Sequence, residues 1–152
     1  MMEKNNQNKY MQELYRKLES SSDATTPDDF LDIVDKIVAE NVPRSIPVLM
    51  KYLDNEADVY LMESLMIAME SYNPDEYICE FISVFHRFIG KGSFWIKGLL
   101  YGILNNEEYF GILKKHIREA DKNSMLDLLY AIERQSPPHR LQCKELIEIL
   151  EN

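Results

Sequence analysis

The sequence predicts an all-α protein: a short α-solenoid of about four helical hairpins behind an N-terminal capping helix. A short apolar phrase recurs as Leu65-Met66-Ile67-Ala68-Met69, Leu99-Leu100-Tyr101-Gly102-Ile103 and Leu128-Leu129-Tyr130-Ala131-Ile132. Each copy sets a small residue inside an apolar helical stripe. The small residues stand 34 (68 to 102) and 29 (102 to 131) positions apart, a period typical of stacked helical hairpins. Glycine and proline are scarce, 5 and 6 in 152 residues, and gather at segment borders, which favours helices over a sheet built on tight turns. The length is that of one domain, with 1–26 as N-terminal helix and loop and 27–152 as the hairpin repeats.

Taken in order, Tyr10, Met11, Leu14, Tyr15 and Leu18 share one helical face, and Glu19-Ser20-Ser21-Ser22-Asp23 breaks it. Thr26-Pro27-Asp28-Asp29 then starts the first hairpin, with a Thr N-cap, Pro at the first helical position and acids facing the positive helix end. Aligned on the small residue, Ile37, Ala68, Gly102 and Ala131 share one slot, and Pro43, Pro74, Glu108 and Pro137 follow six residues later, where each second helix is expected to begin. Proline suits that place because its missing N–H would have had no partner. Asn73-Pro74-Asp75-Glu76 adds the letters of a capping box. The second helices carry i, i+3, i+4, i+7 stripes in Ile78, Phe81, Ile82, Phe85 and in Cys143, Leu146, Ile147, Leu150. The hairpins are thus expected near 27–54, 57–88, 93–118 and 122–151, with Ala68, Gly102 and Ala131 where helices cross most closely.

The formal charge of −9 is regional. Between Asp28 and Glu80 thirteen acidic residues face only Lys36, Arg44 and Lys51, a local net of −10. Such a field repels nucleic acid and anionic membranes and draws a cationic partner quickly and salt-sensitively, although solubility alone would also account for it. No run reaches the ~18 to 20 apolar residues of a membrane span, and Met1 to Lys9 is polar, so a cytoplasmic location is expected. Cys79 and Cys143 lie in apolar helical patterns and read as reduced, packed thiols.

No catalytic constellation emerges. Gly90-Lys91-Gly92-Ser93 lacks the GxxxxGK[ST] spacing of a phosphate loop and reads as a turn between helices. His86, His116 and His139 fall in different repeats without metal-ligand spacing, so no cofactor or metal is expected and the histidines read as solvated or helix-end residues. Acid pairs such as Asp28-Asp29, Asp75-Glu76 and Glu107-Glu108 stand at helix starts, where the dipole favours them. A nucleic-acid enzyme would need a basic groove, and Lys114-Lys115-His116 is the only basic cluster. Trp95 reads as a core aromatic at the junction of repeats, ahead of an interface anchor. Tyr52, Tyr60, Tyr72, Tyr77 and Tyr109 lie beside acids in sequence, a mixture suited to a protein-binding face, which half-buried tyrosines and helix-cap acids would also produce.

The segment from Ser45 to Leu53, followed by Asp54-Asn55-Glu56, resembles the second helix of a HEAT-like repeat with its acidic exit turn. The resemblance runs from about Pro27 to Glu151, with Ile37 departing from the usual Ala. With Phe94-Trp95-Ile96-Lys97-Gly98 at a helix start and the acidic belt from Asp28 to Glu80, the chain is similar to one class of all-helical immunity proteins of bacterial polymorphic toxin and contact-dependent growth-inhibition systems. That resemblance implies a non-enzymatic protein binding a cognate, cationic, nuclease-type toxin domain, with no nucleic acid, membrane or small-molecule substrate as partner. An adaptor binding another basic protein or peptide would need the same features. The expected contacts are Asp54, Glu56, Asp58, Glu63, Asp75, Glu76, Glu107 and Glu108, with Tyr60 and Tyr109 as anchors.

Overall fold

The computed structural model describes residues 2–22 and 27–152, and among them it is all-helical, with nine α-helices and no strand. The first, α1, runs from Met2 to Ser21, well beyond the expected Tyr10–Leu18. No Gly or Pro interrupts Met2–Lys9, and its Glu, Lys and Gln residues cost little in a helix, so the polar run joins the helix although Lys4 to Lys9 are exposed. Met11, Leu14 and Leu18 bury its inner face, whereas Tyr10 stays exposed. The hydroxyls of Tyr15 and Ser45 are 2.7 Å apart, tying α1 to the first hairpin. The Thr26 cap lies outside the described residues.

Four helix pairs follow: α2 (Pro27–Ala39) with α3 (Ser45–Met50), α4 (Val59–Glu70) with α5 (Pro74–Val84), α6 (Ile89–Leu104) with α7 (Glu107–His116), and α8 (Lys122–Gln135) with α9 (Arg140–Glu151). Short 3₁₀ turns at Phe85–Arg87, Ile117–Glu119 and Pro137–His139 close or open these helices. Side-chain oxygens cap several starts. Asp58 accepts from the Leu61 N–H at 3.0 Å, Asn73 from Asp75 at 3.0 Å, Asn106 from Tyr109 at 3.1 Å and Asp121 from Ser124 at 3.1 Å, each satisfying a donor the helix itself leaves open. Pro74 opens α5 as expected, but Pro43 precedes α3 by two residues and Pro137 opens a 3₁₀ turn ahead of α9.

Among the first three pairs, packing runs between counterparts. α2 lies on α4 and α4 on α6, while α3 lies on α5 and α5 on α7; α1 covers α2, and α9 meets α8 and the turn Ile117–Glu119. The core is continuous from Met11 to Leu150, and the stripes Ile78, Phe81, Ile82, Phe85 and Cys143, Leu146, Ile147, Leu150 are buried in it. The small residues do not mark the closest helix crossings expected of them, and of the glycines it is Gly92, not Gly102, that lies tightly against another segment. Ile37 is fully buried, whereas Ala68, Gly102 and Ala131 are only half-buried. Ala68 lines a groove between α2 and α4, and Ala131 one between the start of α6 and α8. A Cβ on Gly102 would stand 3.4 Å from a carboxylate oxygen of Glu70 on α4. Small side chains there leave furrows between first helices rather than filling the centre.

Candidate partner-binding surface

The acidic loop between α3 and α4 is held rigidly by residues almost forty positions away. Asn55 does most of this. Its backbone N–H donates to the Lys91 carbonyl at 2.9 Å, its side-chain NH₂ donates to Ser93 Oγ at 3.0 Å, and its side-chain oxygen accepts the Phe94 N–H at 3.0 Å. The helix α6 departs from helical geometry at Gly92 (φ −119°, ψ 25°), so the Phe94 N–H restarts a helix and needs a cap. Asn55 supplies that cap from another segment. Trp95 reinforces the joint: buried to 8% exposure, its indole N–H donates to the Asp54 carbonyl at 3.0 Å. Trp95 is thus a core residue, and its neighbour Phe94, 66% exposed, is the aromatic that faces solvent. The Gly90–Ser93 stretch is accordingly the kinked first turn of α6 rather than an open turn.

Docking of this loop also commits part of its charge. The Asp54 carboxylate accepts the Glu56 N–H at 2.9 Å and stands 3.6 Å from the Lys91 ammonium, and Asp58 is occupied as the cap of α4. Glu56 is exposed beside them.

A second feature lies along the next helix faces. On α2, Asp28, Asp32 and Asp35 follow i, i+4, i+7 spacing and so form one row; on α4, Tyr60, Ser64 and Ile67 do the same, continued by Ser71 at its C-cap. The two rows flank a groove of about 750 Å³, floored by Leu31, Val34, Val38 and Ala68. Tyr60 and Ile67 are 61% and 68% exposed, so two large apolar side chains stand free opposite three carboxylates. Among the described residues no basic side chain lines the groove, and the three aspartates make no ion pair. Tyr60 was expected as an anchor from the sequence, and it stands exposed at the groove. Asp28, Asp32 and Asp35 were legible only as part of the acidic belt; their one-face spacing was the signal that would have singled them out.

The other expected contacts gather at a different edge. Asp75 and Glu76 occupy the first turn of α5, and Glu107 and Glu108 that of α7. These turns are neighbours, because the rings of Tyr77 and Tyr109 lie 6.3 Å apart. All four acids are exposed, and Tyr109 is half-buried. Beneath them Tyr77 is fully enclosed, and burial, then Glu70 and Tyr109, push its phenol well above the ordinary value; burial likewise raises the Glu70 carboxyl. The helix α4 separates this edge from the Asp54–Asp58 loop, and its 12 residues span about 18 Å. Glu63 lies exposed along α4 between the two. The ten expected residues therefore fall into two groups at opposite ends of α4, one from Asp54 to Tyr60 at its start and one in the first turns of α5 and α7, with Glu63 between them, rather than one cluster.

An all-helical chain offering carboxylates and free aromatic surface along its helix faces is suited to contact with another protein, and comparison with known proteins places it among the immunity proteins of toxin systems. The family model described as Immunity protein 30 (Imm30) matches residues 14–113, 100 of the 152, and the chain belongs to that family. The match runs from Leu14 in α1 to Leu113 in α7 and includes the loop, the groove and the second edge. No curated protein and no solved structure matches the chain. Among the described residues no helix is long and apolar enough to cross a membrane.

Proposed function

We propose that this immunity protein neutralises its toxin as a stoichiometric, non-catalytic inhibitor, and that the toxin domain it binds is basic and of nuclease type. The observation that carries the reading is the α2–α4 groove, where the row Asp28, Asp32, Asp35 faces the exposed Tyr60 and Ile67. Carboxylates recognise Lys and Arg, and aromatic or aliphatic side chains beside them supply desolvated area. The same chemistry disfavours nucleic acid and anionic membrane as partners, and a cytoplasmic site of action fits it. The Asn55-bound loop adds Glu56 on a preorganised support, which lowers the ordering cost of binding. The packing of α2 on α4, α4 on α6, α3 on α5 and α5 on α7 supports the HEAT-like solenoid reading of the scaffold, as one domain.

The test is co-expression with the toxin encoded beside it, together with association kinetics of the purified pair. A variant carrying Asp32→Lys and Asp35→Lys should associate on the order of ten-fold more slowly at low salt and lose most of its salt dependence, with reduced rescue of growth. Unchanged kinetics and full rescue would remove the groove from the interface. Rescue without any direct complex would overturn inhibition by binding.

A further inference from the structure

A separate cluster forms where α5 meets the end of α7. Cys79 of α5, His116 at the last position of α7 and Glu119 in the following 3₁₀ turn each offer one ligand atom, and these atoms all lie within 4.8 Å of one another. His116 Nδ1 and a Glu119 carboxylate oxygen are 3.7 Å apart. The local backbone explains the meeting. At His116 the α-helix gives way to a 3₁₀ turn, in which side chains three apart stack on one another, and α5 packs against both α7 and that turn. The sequence set the three histidines in different repeats, and the His116-x-x-Glu119 spacing was its only local sign.

We propose that Cys79, His116 and Glu119 form a binding site for a zinc-class divalent cation, with three protein donors and a fourth position open to solvent. Thiolate, imidazole and carboxylate are the donor types such an ion takes, at distances that put tetrahedral donors about 3.3 to 3.7 Å apart. Closing the cluster by about 1 Å is within reach of rotamer changes, because the Glu119 side chain is 63% exposed. The surroundings favour a cation. Burial first, then Glu119, Asp75 and Glu80, raise the Cys79 thiol above its ordinary value, with Lys115 acting against them; the same carboxylates stabilise a bound dication, which takes the thiolate as ligand while the thiol proton passes to solvent.

The experiment titrates the full chain with Co²⁺, read by thiolate-to-metal charge-transfer absorption, and then displaces it with Zn²⁺. One equivalent is expected to bind, Zn²⁺ should abolish the absorption and raise the thermal midpoint, and Cys79→Ser and His116→Ala should each abolish the band. Cys143→Ala, which removes the other, buried thiol, should retain it. Circular dichroism checks that each variant is folded. Absence of a thiolate band in the wild type, or its survival in folded Cys79→Ser or His116→Ala, would overturn the site. Toxin binding plays no part in this readout, so it stands or falls independently of the inhibitor reading.

Discussion

Replacing Gly92 with Ala tests the joint that carries the acidic loop. The residue's φ of −119° is open to any L-amino acid, so the cost lies in contact rather than in backbone conformation. A Cβ there would stand 2.7 Å from the Leu53 carbonyl oxygen, 2.9 Å from its Cβ and 3.0 Å from its carbonyl carbon. These are backbone or backbone-proximal atoms, so no flexible tip can swing aside and α6 must move off Leu53. Overpacking of this kind costs about 1 to 3 kcal/mol, offset by about 0.4 to 1 kcal/mol from the reduced freedom of the unfolded chain. The net loss is up to about 2.6 kcal/mol and centred near about 1.3 kcal/mol, a fall of about 3 to 5 °C in the thermal midpoint at that central value for a chain of this size. Gly90 and Gly111 provide matched controls, because both are helical and a Cβ on either meets nothing within 4 Å. Gly90→Ala and Gly111→Ala should raise stability by about 0.5 to 1 kcal/mol. The assay is thermal and urea unfolding followed by far-UV circular dichroism. If Gly92→Ala is as stable as the wild type, or gains like the two controls, the close approach of α6 to Leu53 is refuted.

Two further outcomes follow from the caps. Asn55→Ala removes the acceptor of the Phe94 N–H and the donor to Ser93 and should cost about 0.5 to 2 kcal/mol in urea unfolding, while Asn55→Asp, which keeps the acceptor, should lose less; equal losses would show that the cap is not what Asn55 contributes. The Asp121 carboxyl is held below its ordinary value of 3.8, first by the Ser124 hydroxyl and then by the Ser124 N–H. Its folded value lies under its unfolded one, so its contribution is complete above the ordinary value and lost as pH falls through the depressed one. Asp121→Ala should therefore lower the thermal midpoint at neutral pH, and the gap should close in acid; a gap independent of pH would contradict the cap.

Local chemistry carried most of the helical pattern. Asn73-Pro74 reads as a helix start because both its signals, a side-chain oxygen for open N–H groups and a residue without an N–H, act within four residues. Where the signal was weaker the boundary moved. Pro43 lies outside α3, and the polar start of α1 has no apolar periodicity to announce it. The candidate surface was only partly legible because the contacts that build it are long-range. Nothing near Asn55 in sequence says that its side chain caps a helix at Phe94, and nothing near Cys79 points to His116. Tyr60 was expected from its acidic neighbours in sequence, but the carboxylates it faces across the groove, Asp32 and Asp35, belong to the preceding helix pair and meet it only through the packing of α2 on α4. Trp95 was settled by its partner, since a buried indole N–H requires an acceptor and the Asp54 carbonyl provides one.

The helix α4 has two independent sides. Met62, Leu65 and Met69 are buried, while Tyr60, Ser64, Ile67 and Ser71 line the groove. A substitution in the outward row leaves the inward row and its packing energy intact, so a toxin docked in the groove as proposed could be exchanged without refolding the protein. On that proposal, toxin and inhibitor can change together by single steps, each tolerated by the scaffold. The furrow left by Ala68 widens that freedom, because side chains of different size fit above it.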